Sequence, residues 1–139
     1  MSNKWVLSAT EIDIFDTCQR KWAYQYLDGI KPLPSQAAKL GSTVHAVLQK
    51  YITENAIDLN TVEGKISEPG LKYIPKDISK TNVERPIFFT HGDNIFHGYI
   101  DFYEQIGSQK WLIGDHKTCS SFSTALTPDQ LKTNIQANI

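Results

Sequence analysis

The sequence predicts a mixed α/β domain in which helices flank a central mixed sheet containing an antiparallel three-strand meander. Three observations predict this class. Apolar residues recur at helical spacing over residues 8–52, alternating patterns typical of strands occupy residues 87–117, and a helix start follows near residue 127. A length of 139 residues and a hydrophobic content of 40% fit one domain over residues 1–139 with an ordinary core.

The first amphipathic helix is predicted from Ser8 to about Asp28. Ser8 and Glu11 have the spacing of a capping box, and a glycine follows Asp28 as a stop. After a short proline-containing loop, a second and longer helix is expected. Its apolar residues recur at helical spacing and are Ala37, Leu40, Val44, Val47, Leu48, Tyr51 and Ile52. Over residues 58–82 the pattern weakens, and no element is assigned there.

Three strands are then expected in antiparallel order. A short strand at residues 87–89 leads through a tight turn into a long strand from Ile95 to about Gln105, and a third runs from Trp111 to Lys117. Asp101 and Asp115 fall on neighbouring strands. Side chains that face the same way on such strands can approach within the coordination distance of one metal ion.

A last helix is predicted to begin at Thr127 and to run to the end of the sequence. Threonine is a good N-cap, Pro128 suits the first helical position, and Gln130 completes a capping-box arrangement.

The charge balance excludes a strongly basic nucleic-acid-binding protein, because the formal net charge is only −1. Any DNA contact must come from a local patch. The candidate basic residues are Arg20, Lys21, Lys31, Lys39, Lys76, Lys80 and Arg85, each of which could also belong to an ordinary solvated surface. With no 18-residue apolar stretch and no secretory signal pattern, we expect a cytoplasmic protein that does not contact membranes.

The segment from Gly114 to Thr118 is the most informative part of the sequence. Asp115 and Lys117 would share one face of an extended strand while His116 points to the other. A carboxylate and an ammonium in one pocket, joined by Asp101, could hold a divalent ion beside a scissile phosphate. Taken alone, Asp115 and Lys117 are better explained as an ordinary surface pair at a strand end.

Four motifs occur in order: Cys-x-Arg-Lys at residues 18–21, Gly-x-x-x-His at residues 41–45, Gly-x-Ile-Asp at residues 98–101 and Asp-x-Lys-Thr at residues 115–118. In this order and at these distances they resemble the PD-(D/E)XK nuclease superfamily, in particular its RecB-like, Cas4-like exonuclease branch. The resemblance implies a restriction-endonuclease-like core.

The resemblance also implies the site. The metal ligands would be His45, Asp101, Asp115 and the main-chain carbonyl of His116, binding Mn²⁺ or Mg²⁺. The catalytic residues would be Asp101, Asp115, Lys117 and Gln136, with Gln136 as the match to a Gln-x-x-x-Tyr motif. The implied reaction is hydrolysis of DNA phosphodiester bonds in recombination, repair or CRISPR-type DNA processing.

The sequence departs from this pattern at its C-terminal end, where a further strand and, in iron-sulfur members, three more cysteines are expected. We therefore expect a domain that lacks its C-terminal elements. They would come from a longer chain, from a recombination or helicase partner, or from a second copy in a homo-oligomer. One thiolate cannot hold a four-iron cluster, so Cys18 is expected to be a buried helix residue, not a cluster ligand. A disulfide between Cys18 and Cys119 is not expected.

Two alternatives to the nuclease interpretation stay open: a catalytically inactive nuclease-fold module that binds DNA or a partner, and an unrelated α/β protein. At the level of single residues, Glu84 is a candidate for an additional acidic group, although a solvated strand-end glutamate is the favoured interpretation. His91, Asp93 and His97 form a second conceivable metal cluster, but turn chemistry accounts for the first two without a metal.

Overall fold

The computed structural model describes residues 4–119, 121, 123 and 125–133, so Gln136 lies outside the described residues. Its helices are α1 Ala9–Thr17, α2 Gln19–Trp22, α3 Gln36–Glu54, α4 Val62–Ser67 and α5 Pro128–Leu131. Its strands are β1 Val6–Ser8, β2 Val83–His91, β3 Asn94–Gly107 and β4 Lys110–Gly114. A π-helical turn at Ala23–Leu27 and 3₁₀ turns at Glu68–Tyr73 and Lys80–Asn82 complete the described elements.

The strands form a mixed sheet centred on β3. Strand β1 pairs with β3 in parallel, with Val6 opposite Ile95, whereas β4 pairs with β3 antiparallel, with Phe102 opposite Gly114. Strand β2 is also a hydrogen-bonded neighbour of β3, and a two-residue turn joins them. Helices together with a mixed sheet confirm the predicted fold class, which is consistent with a restriction-endonuclease-like fold.

Two strand boundaries differ from the prediction by three residues or more. Strand β2 begins at Val83, ahead of the expected residue 87, and β4 ends at Gly114 instead of Lys117. Strand β4 ends early because the backbone N–H of His116 donates to the side-chain carboxylate of Asp101 instead of to a backbone carbonyl of a neighbouring strand. Asp115 and Lys117 therefore lie in the loop that follows β4, outside the strand.

Contacts divide the chain into two compact units. The first comprises residues 1–33, 87–98 and 119–139, and the second comprises residues 34–86 and 99–118. The expectation of one domain over residues 1–139 stays a prediction.

The first unit contains an interrupted helix where the sequence predicts a continuous one. Ser8 caps α1 as expected, because its Oγ accepts from the backbone N–H of Glu11 at 3.2 Å. Cys18 is extended at φ −161° and exposed, so the expectation of a buried helix residue was wrong. The interruption has a consequence for Trp22. In a straight helix residues 11 and 22 would be roughly 16 Å apart along the axis, yet the Trp22 indole donates to the Glu11 carboxylate at 3.1 Å.

Aromatic rings surround that hydrogen bond. The Trp22 ring lies 6.0 Å from Trp5, 5.2 Å from Phe15 and 6.2 Å from Tyr26, centroid to centroid. All three partner rings are exposed, whereas Glu11 is buried. Edge-to-face and offset contacts of this kind stabilise a partly exposed cluster beyond the area that it buries.

The start of α5 is as predicted. Thr127 Oγ1 accepts from the backbone N–H of Gln130 at 3.3 Å, and the Gln130 side chain accepts from the backbone N–H of Thr127 at 2.8 Å. These two bonds form the complete capping box. The predicted continuation was wrong in the described residues, because α5 ends at Leu131 and a turn follows at Lys132 and Thr133. The predicted course beyond Thr133 lies outside the described residues.

The second unit is built on α3, which begins after the cap Ser35 and ends at Asn55 in the left-handed conformation. The predicted long helix is therefore confirmed. Its buried face packs with residues from the segment left unassigned and from β3, and the buried core is Val44, Leu48, Ile74, Ile78 and Phe102. None of the helices in the described part of the chain is long and apolar enough to cross a membrane.

Candidate metal centre

Three side chains of the second unit converge on one point. His45 lies on α3, Glu84 near the start of β2 and Asp101 in β3, and each offers a ligand atom within 4.8 Å of the others. His45 Nδ1 is 3.6 Å from Asp101 Oδ2. One imidazole nitrogen and two carboxylates are a donor set that Mn²⁺ and Mg²⁺ accept. The residues present therefore fit a divalent metal.

Core packing positions two of these three residues. His45 directly follows the buried Val44 on α3, and Asp101 directly precedes the buried Phe102 on β3. Successive residues of a strand point to opposite faces, so Phe102 enters the core while Asp101 faces the other way. Asp101 is itself 9% exposed, which marks it as a rare buried carboxylate.

Asp101 connects the cluster to the loop after β4. Its Oδ2 atom faces His45 and also accepts the backbone N–H of His116 at 2.5 Å. His116 lies between Asp115 and Lys117 in sequence, so this bond fixes the middle of the Asp-x-Lys segment against Asp101. A carboxylate that accepts a backbone N–H is held in a defined orientation.

Asp115 and Lys117 pair with each other. Lys117 Nζ is 2.7 Å from Asp115 Oδ2 and donates to Oδ1 at 2.9 Å. Both side chains are exposed, and Asp115 is not a member of the three-residue group. Of the predicted ligands, His45 and Asp101 therefore lie close together, whereas Asp115 pairs with the ammonium group of Lys117. The roles predicted for Asp115, Lys117 and the carbonyl of His116 stay predictions.

For Glu84, the favoured interpretation as a solvated strand-end glutamate was wrong. Instead of a solvated strand-end glutamate, the structure shows a half-buried side chain beside His45 and Asp101. Burial raises the pKa of Glu84 above its ordinary value; the Asp101 carboxylate raises it further, and His45 opposes the rise. No local sequence signal identifies this residue, because its placement depends on a left-handed backbone, φ +50°.

The His116 ring is packed between two other rings. Its centroid lies 5.2 Å from Phe102 and 5.8 Å from His45. Burial lowers the pKa of His116, although the Asp101 carboxylate acts in the opposite direction. The buried Nε2 atom has no hydrogen-bond partner in the described part of the chain. The neutral imidazole is therefore the favoured form.

An open pocket of about 540 Å³ lies along α3. Its lining residues are mostly small, and none is a lysine or an arginine: Ala38, Gly41, Ser42, His45, Ala46, Gln49 and Glu84. A Cβ atom on Gly41 would come 3.1 Å from Thr118 Oγ1. Gly41 therefore lets the end of the Asp-x-Lys-Thr segment approach α3 one helical turn from His45.

Residues 6–70 match the family model of the PD-(D/E)XK nuclease superfamily. The matched segment is just under half of the chain, and it includes α3 and His45. This superfamily consists of nucleases that use divalent metals. No curated protein and no solved structure matches the chain closely enough to support a further comparison.

Proposed function

We propose that this protein is a divalent-metal-dependent deoxyribonuclease of the RecB-like, Cas4-like branch that hydrolyses DNA phosphodiester bonds in the manner of an exonuclease. The observation that carries the proposal is the double role of Asp101. Its carboxylate lies beside His45 and also accepts the His116 N–H, so one residue joins a candidate metal cluster to the segment bearing Asp115 and Lys117. Recombination, repair or CRISPR-type processing is the proposed setting.

The proposed ligands are His45, Asp101, Asp115 and the carbonyl of His116. Mn²⁺ or Mg²⁺ held there would polarise a scissile phosphate and lower the pKa of a bound water. Side chains of the protein would supply the remaining chemistry. The Asp115 carboxylate orients the Lys117 ammonium, which stabilises the negative charge that builds on phosphoryl oxygens. Gln136 is proposed as an additional polar group of the site.

The proposal is tested by cleavage of end-labelled single- and double-stranded DNA in the presence of Mn²⁺ or Mg²⁺. Lys117→Ala and Asp115→Ala should each reduce the cleavage rate by about 100-fold or more, the usual effect of removing a group that stabilises charge in the transition state. DNA binding measured in Ca²⁺ should largely survive Lys117→Ala, because the substitution removes one exposed cation.

The chain supplies a matched control. Asp129 and Lys132 form a second exposed pair, also with an N–O distance of 2.7 Å. Asp129→Ala should leave cleavage unchanged. DNA cleavage that resists chelation of divalent metals, or that persists in Lys117→Ala, would contradict the proposal. Metal-dependent DNA binding without cleavage by any form would favour a nuclease-fold binding module.

A further inference from the structure

Aromatic side chains lie on both sides of Asp101 along strand β3. Tyr99 comes two residues before it and Tyr103 two residues after it, so all three side chains share the face opposite to the buried Phe102. Tyr99 is 65% exposed. In the described part of the chain, no hydrogen bond or ring contact holds its side chain. A free aromatic ring therefore lies next to the candidate metal centre.

Strand β4 adds a further ring on the other side of Asp101. Trp111 lies opposite Gln105, two residues beyond Tyr103, and therefore joins the same face of the sheet. Its side chain is 53% exposed, and its ring centroid lies 5.8 Å from that of Tyr103. We call Tyr99, Tyr103 and Trp111 the aromatic face. The Asp101 side chain lies between its two ends.

The spacing of the aromatic face suits consecutive nucleotides of one strand. Residues two apart on a β-strand are roughly 7 Å apart along its axis. A nucleotide spans a comparable distance from its phosphate to its base. A phosphate bound beside Asp101 can therefore have one neighbouring base over Tyr99 and another over the pair of Tyr103 and Trp111. Exposed tyrosine and tryptophan rings bind unpaired bases by stacking, and every base has a flat face that can take part.

The charge around the site favours stacking over binding of a duplex backbone. No lysine or arginine lines the pocket beside His45, whereas a duplex held through its phosphates requires such cations. The bases of a duplex are stacked on one another inside the helix, so a protein ring reaches their faces only at an end. A strand with unpaired bases presents a flat face at every nucleotide.

We propose that the aromatic face binds unpaired bases on both sides of the scissile phosphate, so that the substrate class of this site is single-stranded DNA. The inference rests on the proposed nuclease function and names the substrate of that same site. Tyr99 and Trp111 are binding residues in this proposal and take no part in proton transfer. A duplex must then be unpaired around the scissile phosphate before it is cut.

The first test is the affinity for a labelled oligothymidylate of about 12 nucleotides, within the site sizes of stacking proteins, measured by fluorescence anisotropy in Ca²⁺. Tyr99→Leu keeps an apolar side chain but removes the ring, so binding should weaken about fivefold or more. Tyr99→Phe keeps the ring and should bind within about twofold of the wild type. Tyr73→Leu is the matched control, because Tyr73 is a 74% exposed tyrosine of the same unit that lies outside the sheet.

The second test compares this single strand with the same strand annealed to its complement. The wild type should bind the duplex about tenfold or more weakly, because the inner bases of the duplex offer no free face. Tyr99→Leu and Trp111→Leu should each narrow this difference, since they remove affinity for the single strand alone. Both side chains are exposed, so the melting temperatures of these variants should stay close to that of the wild type.

The outcomes separate this inference from the function on which it rests. Metal-dependent cleavage that is equal on single strands and duplexes, or unchanged single-strand binding in Tyr99→Leu, would overturn the role of the aromatic face and leave the proposed nuclease standing. A wild-type protein that neither binds nor cleaves either DNA would overturn both.

A protein contact is the competing occupant of this face. Ile113 lies opposite Tyr103 and is 63% exposed, and its aliphatic side chain cannot stack on a base. Ile113→Ala should therefore leave the single-strand affinity unchanged. Self-association of the wild type in sedimentation that Ile113→Ala and Tyr99→Leu both abolish, with DNA affinity unchanged in both, would overturn the proposal and assign the face to a second copy of the chain.

Discussion

The two compact units are stabilised by different kinds of contact. All five buried hydrophobic residues of the described chain lie in the second unit, in a largely aliphatic core with one aromatic ring, Phe102. The first unit instead has partly exposed aromatic rings around Trp22 and a buried carboxylate, Glu11, that accepts its indole N–H. The candidate ligands His45 and Asp101 are sequence neighbours of core residues. Substitutions in the buried core of the second unit should therefore change the positions of these two ligands. Substitutions in the aromatic cluster of the first unit should not.

The largest effect is expected from Gly114→Ala. A Cβ atom there would lie 1.9 Å from Phe102 Cζ, and all three nearest atoms belong to the buried Phe102 ring. A rigid buried ring cannot move aside without disturbing its neighbours, so we expect a loss of about 3 kcal/mol in the free energy of unfolding, the upper part of the range for overpacking. Mn²⁺ affinity should fall as well, because Asp101 directly precedes Phe102. Urea unfolding and calorimetry measure the two effects.

The matched substitution is Gly70→Ala, since nothing lies within 4 Å of a Cβ atom at that glycine. Its stability should stay close to the wild type. If Gly114→Ala also leaves stability and Mn²⁺ affinity unchanged, the buried core of the second unit does not fix the positions of the ligands.

The next effect belongs to the first unit. Glu11→Ala leaves the Trp22 indole N–H without its acceptor, which should lower the free energy of unfolding by about 1–3 kcal/mol. Glu11→Gln retains an acceptor oxygen and should recover most of the loss. Denaturation followed by tryptophan fluorescence measures it. Because Glu11 lies in the first unit, Glu11→Ala should leave Mn²⁺ affinity unchanged. A large decrease in affinity would contradict the difference drawn between the two units.

A smaller effect is expected from Gly41→Ala. Relative to glycine, alanine stabilises a helix by about 1 kcal/mol. Its Cβ atom would, however, lie only 3.1 Å from Thr118 Oγ1, which is a close contact. The net change in stability should stay below about 1 kcal/mol, while DNA cleavage should decrease because Lys117 precedes Thr118. Thr43→Ala, an exposed change on the same helix that does not line the pocket, is the control for helix stability. Cleavage at the wild-type rate in Gly41→Ala would show that the Thr118 contact has no role.

The smallest effect is a pH dependence of the metal-free protein. Burial lowers the pKa of His116 in the folded chain. The unfolded chain therefore takes up its proton first as the pH falls, and stability is lost from the ordinary value of 6.5 downward through the lowered pKa. His116→Asn removes this term while the other three histidines remain. In the presence of chelator, its melting temperature should fall less than that of the wild type on acidification. Parallel curves would contradict this.

Sequence patterns predicted the elements that local chemistry determines. The apolar spacing along α3, the cap at Ser8 and the capping box at Thr127 are set by residues close in sequence, and each was confirmed. The strand that carries Asp101 was also predicted, because alternation along β3 extends over many residues. Helical periodicity could not show the interruption at Cys18, since apolar residues keep their spacing on both sides of it.

The parts that escaped prediction depend on contacts between distant residues. The end of β4 at Gly114 depends on Asp101 accepting the His116 N–H from another strand. The position of Glu84 depends on one positive φ angle that a glutamate seldom adopts. The sequence therefore predicted site roles for His45, Asp101, Asp115 and Lys117, whereas the grouping of Glu84 with His45 and Asp101 required the fold.

The lining of the α3 pocket has a consequence for how the proposed substrate would be held. A nucleic acid held by lysines and arginines releases one condensed counterion for about every phosphate contact, and its affinity falls steeply with added salt. None of the residues that line this pocket carries such a charge. A strand resting there would displace few counterions through the protein, so its retention would follow the divalent ion concentration more closely than the concentration of sodium chloride.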